Sequence, residues 1–261
     1  MTLMNSFLTK LKKHQFLFEE LVKRDFKQKY KRTVLGMAWS LLSPLCSLLI
    51  LYLVFSNFLG RGIPHFAIYL FCGNLLFHYF REATTGGMQA LFANAAIFTR
   101  INVPKYIFLL SKNVSSLINF SLSLLVFFVF VYFSDLPFTV LFVFLLYPIA
   151  FLVIFNVGIG MILSALFIFF RDIGYFYDIL SMLIMYGSAI FYSVNIVKPE
   201  YRDLFYLNPI YCYIKYFRCI VVDGVVPTLE LHLLCAFYAL LALAVGSYIY
   251  KKYNHQFLYY V

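Results

Sequence analysis

Six stretches of the chain, 34–59, 66–90, 107–133, 138–170, 175–194 and 229–250, run apolar for twenty residues or more. A helix needs about 20 such residues to cross the hydrocarbon of a bilayer. Only helices and closed barrels satisfy their own backbone there. The pattern therefore predicts an all-α integral membrane protein with six transmembrane helices. Composition supports this, with 63% of residues hydrophobic and 12% charged. A soluble domain is about 25% charged, so half that charge cannot cover a water-exposed surface. Six spans in 261 residues leave no room for a soluble catalytic domain. The first apolar run is too long for a cleaved leader, and it is expected to stay in the mature chain.

A weaker apolar run, 205–222, carries Lys215 and Arg218 near its middle. Either charge would be costly at the centre of a spanning helix. Asn208-Pro209 marks a turn or helix start, and Asp223-Gly224 a helix end. This run is expected to form a re-entrant or interfacial hairpin between spans five and six.

The net charge of +10 is read as a topology signal, not as a nucleic-acid footprint. With the N-terminus inside, fourteen Lys/Arg fall on cytoplasmic segments: nine in 1–33, then Arg100, Lys105, Arg171, Lys251 and Lys252. Five fall outside: Arg61, Lys198, Arg202, Lys215 and Arg218. The excess predicts both termini in the cytoplasm. The chain then divides into a cytoplasmic segment, 1–33, and a six-span membrane domain, 34–261.

Within 1–33, Phe18, Val22, Phe26 and Tyr30 recur every fourth residue beside Leu21, with lysines and Arg24 opposite. That is a basic amphipathic helix at the headgroup plane, either a topology anchor or also a partner contact. Residues 94–105, NAAIFTRINVPK, are apolar for a cytoplasmic loop. They are expected either to dock on a partner, with Phe98 the natural anchor, or to form a buried turn. Span four is longer than a bilayer requires and contains Pro148, so a kink or a cytoplasmic extension is expected. Small residues at four-residue spacing, including Ala83/Gly87 and Gly160/Ser164, mark close helix packing.

Catalytic apparatus is not legible. There is no GxxxxGK[ST], HExxH or GxSxG, and no acidic cluster suited to Mg²⁺. The five cysteines are scattered in apolar runs and read as core residues, with no metal expected. Arg81 and Glu82 lie within span two, where charges usually face the bundle interior or an aqueous path. They line such a path, or they pair with a neighbouring helix or reach the headgroups. Aromatic and hydroxyl side chains could let a sugar chain slide. The candidates for a substrate path are Trp39, Ser43, His78, Arg81, Glu82, Tyr186 and Tyr192.

Residues 21–45, LVKRDFKQKYKRTVLGMAWSLLSPL, resemble the start of ABC-2 type permeases that export lipid-linked polysaccharides. The matching positions are Arg24, Asp25, Tyr30, Lys31, Arg32, Leu35, Gly36, Trp39 and Pro44. Residues 94–105 are similar to the family's first coupling segment. Residues 169–180, FFRDIGYFYDIL, are similar to its second. The stretch from Ser188 through Phe191-Tyr192 and Leu207-Asn208-Pro209 to Arg218 and Gly224 resembles its outer gate helices. The resemblance implies a six-span half-exporter with an N-terminal interface helix, working as a homodimer in a bacterial inner membrane. Two copies of a separate ATPase subunit would bind ATP and Mg. Asn94, Ile97, Phe98, Arg100, Arg171 and Asp172 would couple to that partner. The cargo would be an O-antigen-like or teichoic-acid-like glycan on a polyprenyl diphosphate. An ABC-2 permease for a drug or small lipid is the alternative. A membrane-embedded glycan or lipid transferase is a more distant one.

Overall fold

The computed structural model describes residues 12–260 apart from 32, 59, 61 and 135. Residues 1–11, and Arg32 and Arg61 from the motif and charge arguments, lie outside the described residues. Among the described residues every regular element is helical.

The first helix, α1 (Gln15–Tyr30), is the amphipathic one expected. Its covered stripe is centred on Leu21 and Asp25, flanked by Leu17, Phe18, Val22 and Phe26. Lys23 pairs with Glu20 at 3.0 Å, and Arg24 turns away to Asp25 and Asn94. Lys27 and Lys29 in the last turn complement the carbonyl end of the helix. Gly36, at φ +52°, then turns the chain towards the bundle. Nothing lies within 4 Å of where its Cβ would be, so it is the left-handed backbone that favours glycine.

The bundle consists of α2 (Trp39–Phe55), α3 (Phe66–Ala93), the short α4 (Ala95–Phe98), α5 (Tyr106–Tyr132) and α6 (Leu146–Phe169). There follow α7 (Ile173–Tyr186), the short α8 (Pro199–Arg202), α9 (Pro209–Val221) and α10 (Leu229–Tyr253). α3 is the central helix, with Leu70, Phe71, Cys72, Leu76 and Phe80 all buried. It packs on α2, α5, α6 and α9, while α1 lies along α5. α6 and α10 form the closest pair. A Cβ on Gly158 would stand 2.4 Å from the Ala242 carbonyl carbon, and one on Gly246 would stand 2.6 Å from the Gly158 carbonyl oxygen. On the other side of α6, Gly87 of α3 meets Gly160, as the small-residue spacing implied.

Four helical stretches are each long and apolar enough to cross a membrane: Gly36–Phe55, Tyr106–Tyr132, Val140–Phe169 and Leu229–Tyr253. The chain is thus a multi-pass membrane protein. The other two expected spans differ for physical reasons. α3, at 28 residues, is long enough but carries Arg81 and Glu82 among Asn74, His78 and Gln89. α7 has 14 residues and reaches about 21 Å at 1.5 Å per residue. The expected run 175–194 breaks after Tyr186, where Gly187 closes the helix and Ala189 takes φ 50°. Span four is not kinked at Pro148. A 3₁₀ segment, Val140–Leu145, takes up the extra length, and Pro148 sits in the first turn of α6, where proline is tolerated. Cys72, Cys212 and Cys235 are buried packing residues, as expected, whereas Cys219 is half-buried and Cys46 is exposed on α2.

Candidate functional site

α1 approaches the bundle with polar side chains, and α3 and α5 answer with polar side chains. Glu82 Oε1 accepts from Lys29 Nζ at 2.8 Å and from Asn119 Nδ2 at 2.7 Å. Asn119 Oδ1 in turn accepts from the Tyr30 hydroxyl at 2.9 Å. His78 Nδ1 stands 3.9 Å from the other Glu82 oxygen, one turn back on the same helix. These groups border a cavity of about 280 Å³. α2 contributes Trp39, Ser40, Ser43 and Ser47, which recur at helical spacing on one face. Asn74 of α3 and Ser123 of α5 complete the polar lining. The rest of the lining is apolar, from Trp39, Pro44, Phe71, Leu75 and Phe120, so the cavity sets polar groups beside aromatic faces.

Four of the expected path residues, Trp39, Ser43, His78 and Glu82, therefore meet at one cavity. The other three do not. Arg81 immediately precedes Glu82 in sequence but projects about 100° round the helix. It pairs with Asp178 of α7 at 3.3 Å, with both side chains more than half exposed. Tyr186 and Tyr192 lie at the start of α3. The Tyr192 hydroxyl donates to the Tyr186 carbonyl at 2.8 Å, and the Tyr192 carbonyl accepts from the Tyr69 hydroxyl at 2.9 Å. Sequence reasoning missed Lys29, Asn74, Asn119 and Ser123. The signal for Asn119 was present, as an amide inside an apolar span. Lys29 looked like one more headgroup lysine.

The two segments expected to couple to a partner gather at the far end of α3. Asn94 is buried. Its Nδ2 donates to the Ala90 carbonyl at 2.8 Å, and its Oδ1 accepts from Arg24 Nη2 at 2.9 Å. Asp25 sits between Arg24 at 2.9 Å and Lys112 of α5 at 3.0 Å. α1 is thereby tied to the coupling segment at one point and to the cavity at Lys29 and Tyr30, about one to two turns further on. Arg171 stacks over the Phe92 ring at 3.6 Å and lies 5.2 Å from Phe167. That contact brings the α6–α7 turn, with exposed Arg171 and Asp172, beside the end of α3.

Phe98 departs from the expectation of an outward anchor. Only 5% of it is exposed. It packs with Leu21, Leu91, Ile107 and Phe257 inside this chain, its ring 6.0 Å from that of Phe108. α4 folds back because its apolar side chains find the groove between α1 and α5. Ile97 is half-buried, while Arg100 and Ile101 face outward. Lys105 bonds the Asn254 carbonyl and lies over Phe98 and Phe257. Burial lowers its ammonium pKa below the ordinary lysine range.

At the opposite end of α3, Arg218 of α9 is buried and donates to backbone carbonyls at Tyr69, Ala189 and Ile190, at 2.9–3.2 Å. Its guanidinium also stacks 3.4 Å from the Tyr69 ring centre. This accounts for a charge in the middle of an apolar run. The cation fixes the turn after α7 against α3. Among the described residues no cluster of His, Cys, Asp or Glu could hold a metal ion.

Residues 17–222 match the ABC-2 type transporter family. A protein of Klebsiella pneumoniae named O-antigen export system permease protein RfbA is 27% identical over 246 residues, covering 93% of this chain and 95% of its own length. A second of that name from the same organism is 28% identical over 215 residues, covering 80% and 83%. One from Myxococcus xanthus is 25% identical over 252 residues, covering 95% and 96%. With the family match running from α1 through α9, this chain belongs to the ABC-2 type transporter family and is a membrane permease.

Proposed function

We propose that the chain is the permease subunit of an ATP-driven exporter for a polysaccharide carried on a polyprenyl diphosphate. The observation that carries the reading is the full-length likeness to permeases named for O-antigen export. The cavity at Glu82 supports it, because hydroxyl and amide groups beside aromatic rings suit the edge and the face of a sugar. In this reading α3 and α7 join the four apolar helices as membrane-embedded elements, giving six, with α9 re-entrant between the last two. The charge excess puts α1 and both termini in the cytoplasm. Two copies of the chain would enclose the path, and two copies of a separate ATPase would supply ATP binding and hydrolysis.

The residues then divide by task. Trp39, Ser43, His78 and Glu82 would contact sugar units near the inner face. Arg81 would keep α7 in step with α3 through Asp178. Tyr186 and Tyr192 would stand where the path leaves the bundle. Asn94, Ile97, Arg100, Arg171 and Asp172 would form or support the surface that meets the ATPase. Phe98 would brace that surface from behind. Motion of the surface would reach the cavity through α1, since Arg24 holds Asn94 and Lys29 holds Glu82.

Deleting the chain's coding sequence tests the reading. Surface glycan should disappear, and lipid-linked glycan should accumulate on the inner face of the membrane. Normal surface glycan in the deletion strain would refute it.

A further inference from the structure

A second cavity, of about 460 Å³, opens at the start of α3, between Tyr69, the 193–203 segment and α9. That volume falls in the range of about 300–1,000 Å³ typical of small-ligand sites. Three cations border it, Arg202, Lys215 and Arg218, together with the carboxylates Asp203 and Asp223. Opposite charges around one small cavity would be expected to pair. Among the described residues none of these five does so within 4 Å.

The cations are held by other groups. Arg202 donates to the carbonyls of Val197 and Asn195 at 2.9 and 2.8 Å. Lys215 bonds the Tyr206 hydroxyl and lies 4.6 Å from the centre of that ring. Arg218 is fixed by its carbonyl partners, and Gly73 makes room for it, since a Cβ there would stand 2.8 Å from Nη2. Asp203 is thus left as an acceptor, Asp223 lies against the Cys219 thiol, and Lys215 keeps donors to spare. The apolar part of the lining comes largely from Tyr69, Tyr206 and Tyr211, with Val194 and Val222 the aliphatic side chains, and tyrosine rings suit the face of a sugar. A lone phosphate would face two carboxylates. A sugar ring, with donor and acceptor hydroxyls at its edge and an apolar face, matches a wall of fixed donors, carboxylate acceptors and tyrosine rings.

We propose that this cavity is a saccharide subsite, holding one or two sugar units of the glycan on the side of the membrane opposite α1. The proposal rests on the glycan-export reading. It adds a second contact point at the far end of the path, where α9 and the 193–203 segment close the bundle.

The test uses the whole permease–ATPase complex in lipid nanodiscs. The probe is the sugar chain released by mild acid from the lipid-linked glycan that accumulates when this chain is deleted. Binding is titrated by saturation-transfer NMR. Asp203→Asn and Lys215→Gln should each weaken binding about fivefold, the scale of one lost hydrogen bond. Leu233→Ala, on the exposed face of α10, should leave it unchanged. Both altered residues are solvent-accessible, and co-purification of the ATPase reports whether each variant is assembled. Binding indifferent to both substitutions in assembled complexes overturns the subsite and leaves the export reading standing. Failure of any lipid-linked glycan to accumulate overturns the export reading and the subsite with it.

Discussion

Glu82 illustrates how a charge is kept inside an apolar bundle. Its Oε1 receives one ammonium and one amide, and charge-assisted bonds of this kind are worth about 1.5–3 kcal/mol each. Lys29 is partly exposed, so Lys29→Met should destabilise the subunit by about 1 kcal/mol, and Glu82→Gln in the same background should restore part of the loss. Thermal unfolding in detergent across the four-member cycle measures this. Strict additivity would mean that the two side chains do not interact. The pairing also explains why sequence reading reached half of the site. An acidic residue in an apolar span announces itself, so Glu82 and His78 were legible. Lys29, some fifty positions earlier in a run of lysines, carries no local mark of its partner. Arg81 was legible as unusual but not as separate from Glu82, because which face of a helix meets which neighbour depends on tertiary packing.

At the scale of elements, α1 and α4 form one unit with the start of α5. Phe98 is the hinge of that account. Removing a buried phenyl ring costs about 3–5 kcal/mol, so Phe98→Ala should lower the stability of the permease itself. Arg100→Ala or Ile101→Ala should instead weaken ATPase co-purification while leaving permease stability unchanged. A Phe98→Ala subunit of normal stability that merely loses its ATPase would restore the outward-anchor view. Sequence reading saw that α4 is too apolar for water. It could not see that the covering partner is this chain's own α1 and Phe257. The α6–α10 crossing makes a sharper prediction. Gly158→Ala or Gly246→Ala places a Cβ against backbone atoms that cannot move aside, and overpacking costs about 1–3 kcal/mol. Gly86→Ala, whose nearest neighbour would be Lys112 Cβ at 3.8 Å, should be tolerated. Equal melting temperatures for all three would contradict the packing described.

For the molecule as a whole, apolar run length made the helical membrane fold legible, and run order placed α2, α5, α6 and α10 within a few residues. It overestimated α7, because the apolar residues after Tyr186 form a buried turn held by Arg218 and not a continuing helix. Run length cannot distinguish these, since both bury apolar side chains. Two polar cavities and the proposed coupling surface line up along α3. Asn94 is at one end, Glu82 in the middle and Tyr69 at the other, spanning about 37 Å at 1.5 Å per residue. The most direct test places the purified chain and its ATPase partner in sealed vesicles, with lipid-linked glycan in the outer leaflet and an added glycosidase outside. The account predicts that ATP moves the glycan into protection from the glycosidase, and that Lys29→Met slows this in assembled complexes. Protection that develops without ATP, or none at all from an assembled and ATP-hydrolysing complex, would contradict it.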